Sequence, residues 1–70
     1  MIGRVLLSKA PLAVYDGEWH RIHLSPGALC LVVGSKAVSQ FGWLHVLLPS
    51  LQLVWLYEHD VEEGHLEVVK

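Results

Sequence analysis

Gly42–Val61, GWLHVLLPSLQLVWLYEHDV, is the stretch that decides the fold. Pro49 cannot donate to a strand ladder and Pro49-Ser50 is turn chemistry, so the apolar run divides into two strands, Trp43–Leu48 and Leu53–Tyr57, joined as a hairpin. A membrane-spanning helix is the competing reading. His45, Pro49, Ser50 and Gln52 interrupt it, and it falls short of the roughly 20 apolar residues that a bilayer needs. The hairpin then leaves through an acidic corner at Glu58-His59-Asp60, read as one helical turn.

Outward from this hairpin, the rest of the chain reads as short strands between turns. Ile2–Ser8 is a first strand that ends before Lys9-Ala10-Pro11. Leu12–Tyr15 is a short extended piece reversing at Asp16-Gly17, a dipeptide suited to positive φ, and Trp19–Leu24 returns. Ser25-Pro26-Gly27 supplies a second turn into Ala28–Val33, whose six apolar residues have the length of a buried strand. Gly34–Gln40 is polar and unpatterned and is expected to be a mobile loop. After the acidic corner, Glu62-Glu63-Gly64 turns into a closing strand, His65–Val69. With no long amphipathic helix, heptad or internal repeat, the chain predicts a single all-β domain over residues 1–70, a small barrel of five to six strands with one short helical turn.

Composition bounds what such a domain can do. Seventy residues give one core near the lower size limit for folding without disulfides, metals or partners. Hydrophobic residues are 53% of the chain and charged ones 17%, against about 25% charged in an ordinary globular domain, so some apolar surface is expected to have a partner. The net charge is −2 and Arg4, Lys9, Arg21, Lys36 and Lys70 are scattered, which gives no cationic field to draw nucleic acid. Cys30 is the lone cysteine, so no intrachain disulfide can form, and its setting in GALCLVVG reads as burial. The start, MIGRVLLSKAPLAV, lacks the pattern of a secretion signal, and an intracellular, cytoplasmic chain is expected.

The order of these elements resembles the SH3-like barrels. The likeness rests on AVYDG (Ala13–Gly17), LSPGALCLVVG (Leu24–Gly34), GWLHVLL (Gly42–Leu48) and VWLYEHDVE (Val54–Glu62), and covers residues 12–69. The bacterial SH3-like domains, and in style the small SH3-like proteins encoded by tailed phages, are the nearer likenesses, and the latter would place the chain in a virion or in host cytoplasm. Peptide-binding members grip polyproline helices in an aromatic groove. Tyr15 and Trp43 match two groove positions. The tryptophan pair is Trp43-Leu44 here, the corner proline aligns with Tyr57 and the corner tyrosine with Asp60, so that groove is incomplete and proline-rich ligands are not implied.

Strand alternation assigns the faces. On the resemblance, the inward set is Ala28, Cys30, Val32, Leu44, Val46, Leu56 and Val61, joined by Val5, Leu7, Leu66 and Val68. The outward set is then Leu29, Leu31, Val33, Trp43, His45, Leu47, Leu53, Trp55 and Tyr57. A half-exposed antiparallel sheet should be polar there; this one is apolar, and a contiguous patch of that kind marks an interface. Leu29, Leu31, Trp43, Leu47, Leu53, Trp55 and Tyr57 are the candidate contact residues, either covered by a segment of the same chain or, as expected here, engaging another protein or a second copy.

Chemistry is thin by comparison. His20 and His23, three apart, fall on opposite faces of a strand and fail as a metal pair. His59, Asp60, Glu62, Glu63 and His65 are denser, but a solvated acidic turn is the ordinary form of such a group, and no metal or cofactor is expected. Ser8, Ser25, Ser35, Ser39 and Ser50 sit at strand ends or in loops without a nucleophile elbow or phosphate cradle. No small-molecule substrate is evident. The sequence points to a non-enzymatic interaction or structural module that self-associates. The alternative is a small nucleic-acid-binding barrel that stacks bases on Trp43, Trp55 and Tyr57.

Overall fold

The computed structural model describes residues 2–38 and 40–69. Seven strands, β1 (Val5–Ser8), β2 (Leu12–Tyr15), β3 (Arg21–Leu24), β4 (Leu29–Val38), β5 (Phe41–Leu47), β6 (Leu53–Tyr57) and β7 (Leu66–Val69), pair in the order β3-β2-β6-β5-β4-β1-β7. Every ladder is antiparallel. One helical turn, α1 (His59–Glu62), joins β6 to β7. The all-β class holds; the strand count is seven rather than five to six, and the order is open, running from β3 at one end to β7 at the other.

This sheet wraps around its own core. Leu6, Val14, Cys30, Val46, Val54 and Leu56 are all fully buried in one cluster that draws on every strand. A flat sheet with a single helical turn beside it could not shield that face from water, so the sheet must curl over itself. Of the expected inward set, Cys30, Val32, Leu44, Val46, Leu56 and Leu66 are buried, while Ala28, Val61 and Val68 are half-buried against them. Leu48 and Val54 join the core, on the same alternation.

The phase of β1 is the opposite of that expected. Leu6 and Ser8 point inward and Val5 and Leu7 lie half-buried on the outer side. The buried hydroxyl is matched on both sides: Ser8 Oγ donates to the Ser25 carbonyl at 2.9 Å and accepts from the Ala28 N–H at 2.9 Å. Those bonds staple the Ser25-Pro26-Gly27 turn to β1, helped by the Gly27 N–H on the Ser8 carbonyl. Gly27 has φ +88°, a conformation that a side chain would strain.

Gly34–Gln40 is not a loop through most of its length. Gly34–Val38 continues β4, paired with Phe41–His45 of β5; Ser39 lies outside the described residues. A bulge between Val32 and Gly34 makes this possible. Before it, Leu29 and Leu31 face out and Cys30 and Val32 face in; after it, Gly34 and Lys36 sit opposite the outward His45 and Trp43. The extra residue, Val33, shifts the alternation by one. Other boundaries move by a few residues: β1 begins at Val5 rather than Ile2, β3 at Arg21 rather than Trp19, β5 at Phe41, the helical turn at His59 and the closing strand at Leu66.

Two turns use left-handed residues other than glycine. The positive φ expected at Asp16-Gly17 falls on Trp19 instead (φ 64°). Asp16 holds this turn: its Oδ1 accepts from the Glu18 and His20 backbone N–H groups at 2.9 and 2.8 Å, an Asx arrangement. The His20 N–H is the largest influence holding the Asp16 carboxyl below its usual range. In the central hairpin, the Leu51 N–H donates to the Leu48 carbonyl at 2.8 Å and Leu51 takes φ 68°, the form of a turn through Pro49-Ser50 closed by a left-handed residue.

Candidate functional site

The outer face of β4–β6, where the candidate contact residues were expected, divides into two halves. The first half is aliphatic. Cross-strand register places Val69 beside Val5, Val5 beside Leu31, Leu31 beside Leu47 and Leu47 beside Leu53. One apolar row therefore crosses β7, β1, β4, β5 and β6 side by side. Directly opposed side chains in such a ladder are about 5 Å apart, which makes the row continuous. Leu53 is 47% exposed and Leu31 38%. Leu29 (47%) and Leu51 (79%) flank it, and a shallow apolar groove of about 310 Å³ runs among Val5, Leu29, Leu31, Leu47, Pro49 and Leu51. At its margin Lys9 and Glu67 form an exposed ion pair at 3.3 Å.

The second half is aromatic and partly covered by its own chain. Tyr15, Trp55 and His45 share one cross-strand row, and Tyr57 and Trp43 the next. His45 stacks on Trp55 with centroids 4.1 Å apart and rings 9° from parallel. Trp19 reaches over from the β2–β3 turn, stacked on Trp55 (6.1 Å, 16°) and edge-on to Trp43 (5.3 Å, 72°). The Lys36 ammonium lies 4.4 Å from the Trp55 ring and 4.9 Å from that of Trp19, within cation–π range. The left-handed Trp19 is what delivers its ring to this place. The sequence reading missed Trp19 as a site residue, since a tryptophan after Asp-Gly reads as the start of the next strand.

All seven candidate contact residues thus share the outer face, and they differ in exposure. Leu29, Leu31 and Leu53 are open to solvent, whereas Trp43, Leu47, Trp55 and Tyr57 are half-buried.

The acidic corner sets two histidines against carboxylates. His59 sets both ring nitrogens against carboxylates, Nδ1 3.2 Å from Glu62 and Nε2 2.6 Å from Glu63. Glu62's hydrogen bond is the largest influence on His59 and raises its pKa; partial burial opposes this and Glu63 adds to it. Asp60, Glu63 and His65 offer ligand atoms within 4.8 Å of one another, with His65 Nδ1 3.3 Å from Asp60 and 3.8 Å from Glu63. His20 and His23 are both exposed on the opposite hairpin. Cys30 is fully buried, and burial raises its thiol pKa, which suits a core side chain rather than a nucleophile.

No helix among the described residues is long and apolar enough to cross a membrane. Comparison with protein-family models, with curated proteins and with solved structures finds no match. The reading of this surface therefore rests on its own residues.

Proposed function

We propose that the chain is a non-enzymatic interaction or structural module of SH3-like type, and that it associates with a second copy of itself through the aliphatic row Val69, Val5, Leu31, Leu47 and Leu53. The observation that carries this is the register, which aligns an apolar residue from each of five adjacent strands on the outer face. Monomers rarely leave a patch larger than a few hundred Å² open to water. A small domain gains most from pairing such a patch with its own copy, because a two-fold contact is self-complementary and adds buried core to both protomers. The mechanism is burial of leucine anchors, with polar residues such as Lys9 and Glu67 at the rim.

Support for the SH3-like part comes from the position of the sequence likenesses. AVYDG ends β2 at a turn, GWLHVLL runs along β5 and one residue past its end, and VWLYEHDVE spans most of β6 and the helical turn that follows. Base stacking on the aromatic half is less favoured: the Trp55 ring already carries Trp19, His45 and the Lys36 ammonium.

Solution mass at low micromolar concentration, by light scattering or sedimentation, tests the proposal. The chain should run as a discrete oligomer and the Leu31→Lys/Leu53→Lys variant as a folded monomer. A wild-type chain that stays monomeric, or a variant that keeps the wild-type mass, would overturn it.

A further inference from the structure

Between the aromatic half of the sheet and the acidic corner lies a groove of about 490 Å³, a size typical of small-molecule sites. Its walls combine two kinds of negative potential. Tyr15, Phe41, Trp43 and Tyr57 line it together with Asp60, His65 and the Pro11–Ala13 stretch. Tyr15 and Trp43 stand nearly perpendicular (84°, centroids 5.7 Å apart), making a corner, and Tyr57 closes against Trp43 at 5.3 Å. Ring faces carry the negative lobe of the aromatic quadrupole. Asp60 supplies a full carboxylate, with only 22% of its side chain exposed.

The surroundings strengthen the same sign. Residues 58–63 hold Glu58, Asp60, Glu62 and Glu63 and no lysine or arginine. Lys36, the basic residue among the aromatics, sits over Trp19 and Trp55 rather than among the groove residues. An anionic or phosphate-bearing ligand would be repelled. Ring faces offer no lone pair to a hard metal ion, whose strong hydration favours oxygen ligands. A bulky organic cation differs: its charge is spread and weakly hydrated, so it can leave water for ring faces at small cost.

We propose that this groove binds a small organic ammonium cation, a quaternary or methylated amine set against Trp43, Tyr15 and Tyr57 with Asp60 as its counter-ion. The site is separate from the aliphatic row and does not depend on self-association.

The test is a pair of NMR titrations of the full chain, one with choline and one with its uncharged isostere in which carbon replaces the quaternary nitrogen. Choline should give saturable shifts at Tyr15, the Trp43 indole, Tyr57 and His65, and bind about tenfold tighter than the isostere, the scale of a partly desolvated cation–π contact. Asp60→Asn should weaken choline several-fold and leave the isostere unchanged. Equal affinity for the two ligands would show an apolar groove without cation recognition, and shifts that fail to saturate or that fall elsewhere would show no site; either overturns the proposal. The ligand comparison is made on the unaltered chain, so it stands even if a variant misfolds.

Discussion

The aliphatic row and the aromatic half lie on the same outer face, a few residues apart along the same strands, and they differ in what their own chain lays over them. On the aromatic side the chain covers itself: Trp19, itself 44% exposed, folds down from a turn, Lys36 caps the rings, and Trp43, Trp55 and Tyr57 are half-buried. On the aliphatic side Leu31, Leu53 and Leu51 are exposed, with no such cover among the described residues. Apolar composition alone therefore does not identify an interface. What separates the halves is whether a nearby turn can place a side chain over the strand, and Asp16 with its two backbone hydrogen bonds arranges that on one side only.

If this contrast is right, substitutions in the two halves should fail in different ways. The largest loss of stability is expected from Trp55→Ala, at about 2–3 kcal/mol, below the full cost of a buried tryptophan because the ring is half-exposed; denaturant unfolding would show it. Trp19→Ala should cost about 1–2 kcal/mol through lost ring contacts while keeping the left-handed strain. Trp19→Gly should recover about 1 kcal/mol of that loss, since glycine bears no penalty at positive φ. If the glycine variant were the less stable of the two, the φ of 64° would not be a source of strain.

Lys36→Met keeps the aliphatic stem and removes the ammonium, and a loss of about 0.5–1 kcal/mol is expected from the cation–π contacts. On the other half, Leu31→Lys/Leu53→Lys should change protomer stability by no more than about 0.5 kcal/mol per site while lowering the solution mass. A large stability loss with no change in mass would place these leucines in the fold rather than in a contact.

The acidic corner gives the smallest effect. Because the folded-state pKa of His59 is raised, its contribution is fully present below the ordinary histidine value and is lost as pH rises through the raised one. Melting temperature should therefore fall slightly over that window. His59→Gln should flatten the profile, and an unchanged slope would show that His59 is not its origin.

Much of this was legible in the sequence where patterns are two-sided. Leu12–Tyr15 and Leu53–Tyr57 have the expected bounds, set by Pro11, Asp16 and the Pro49-Ser50 turn. The inward and outward sets of β5 and β6 follow from simple alternation. In β1, VLLS is apolar on both phases, and the one polar residue is the one that faces inward, because a distant turn satisfies its hydroxyl. The extension of β4 was hidden for another reason: Ser35, Lys36 and Ala37 lie beyond the core and are exposed, so pairing with β5 rather than burial makes them a strand. Trp19 was hidden because a left-handed tryptophan has no local sequence signature.

The bulge at Val33 also tells which length change this hairpin tolerates. Losing that one residue would leave Val32 opposite Val46 followed directly by Gly34 opposite His45, a regular ladder in which everything distal keeps its register and its side. Lys36 would still stand over the tryptophans. What would go is the extra local twist that a bulge adds, so a deletion at Val33 should show in the curl of the sheet and not in an exchange of its faces.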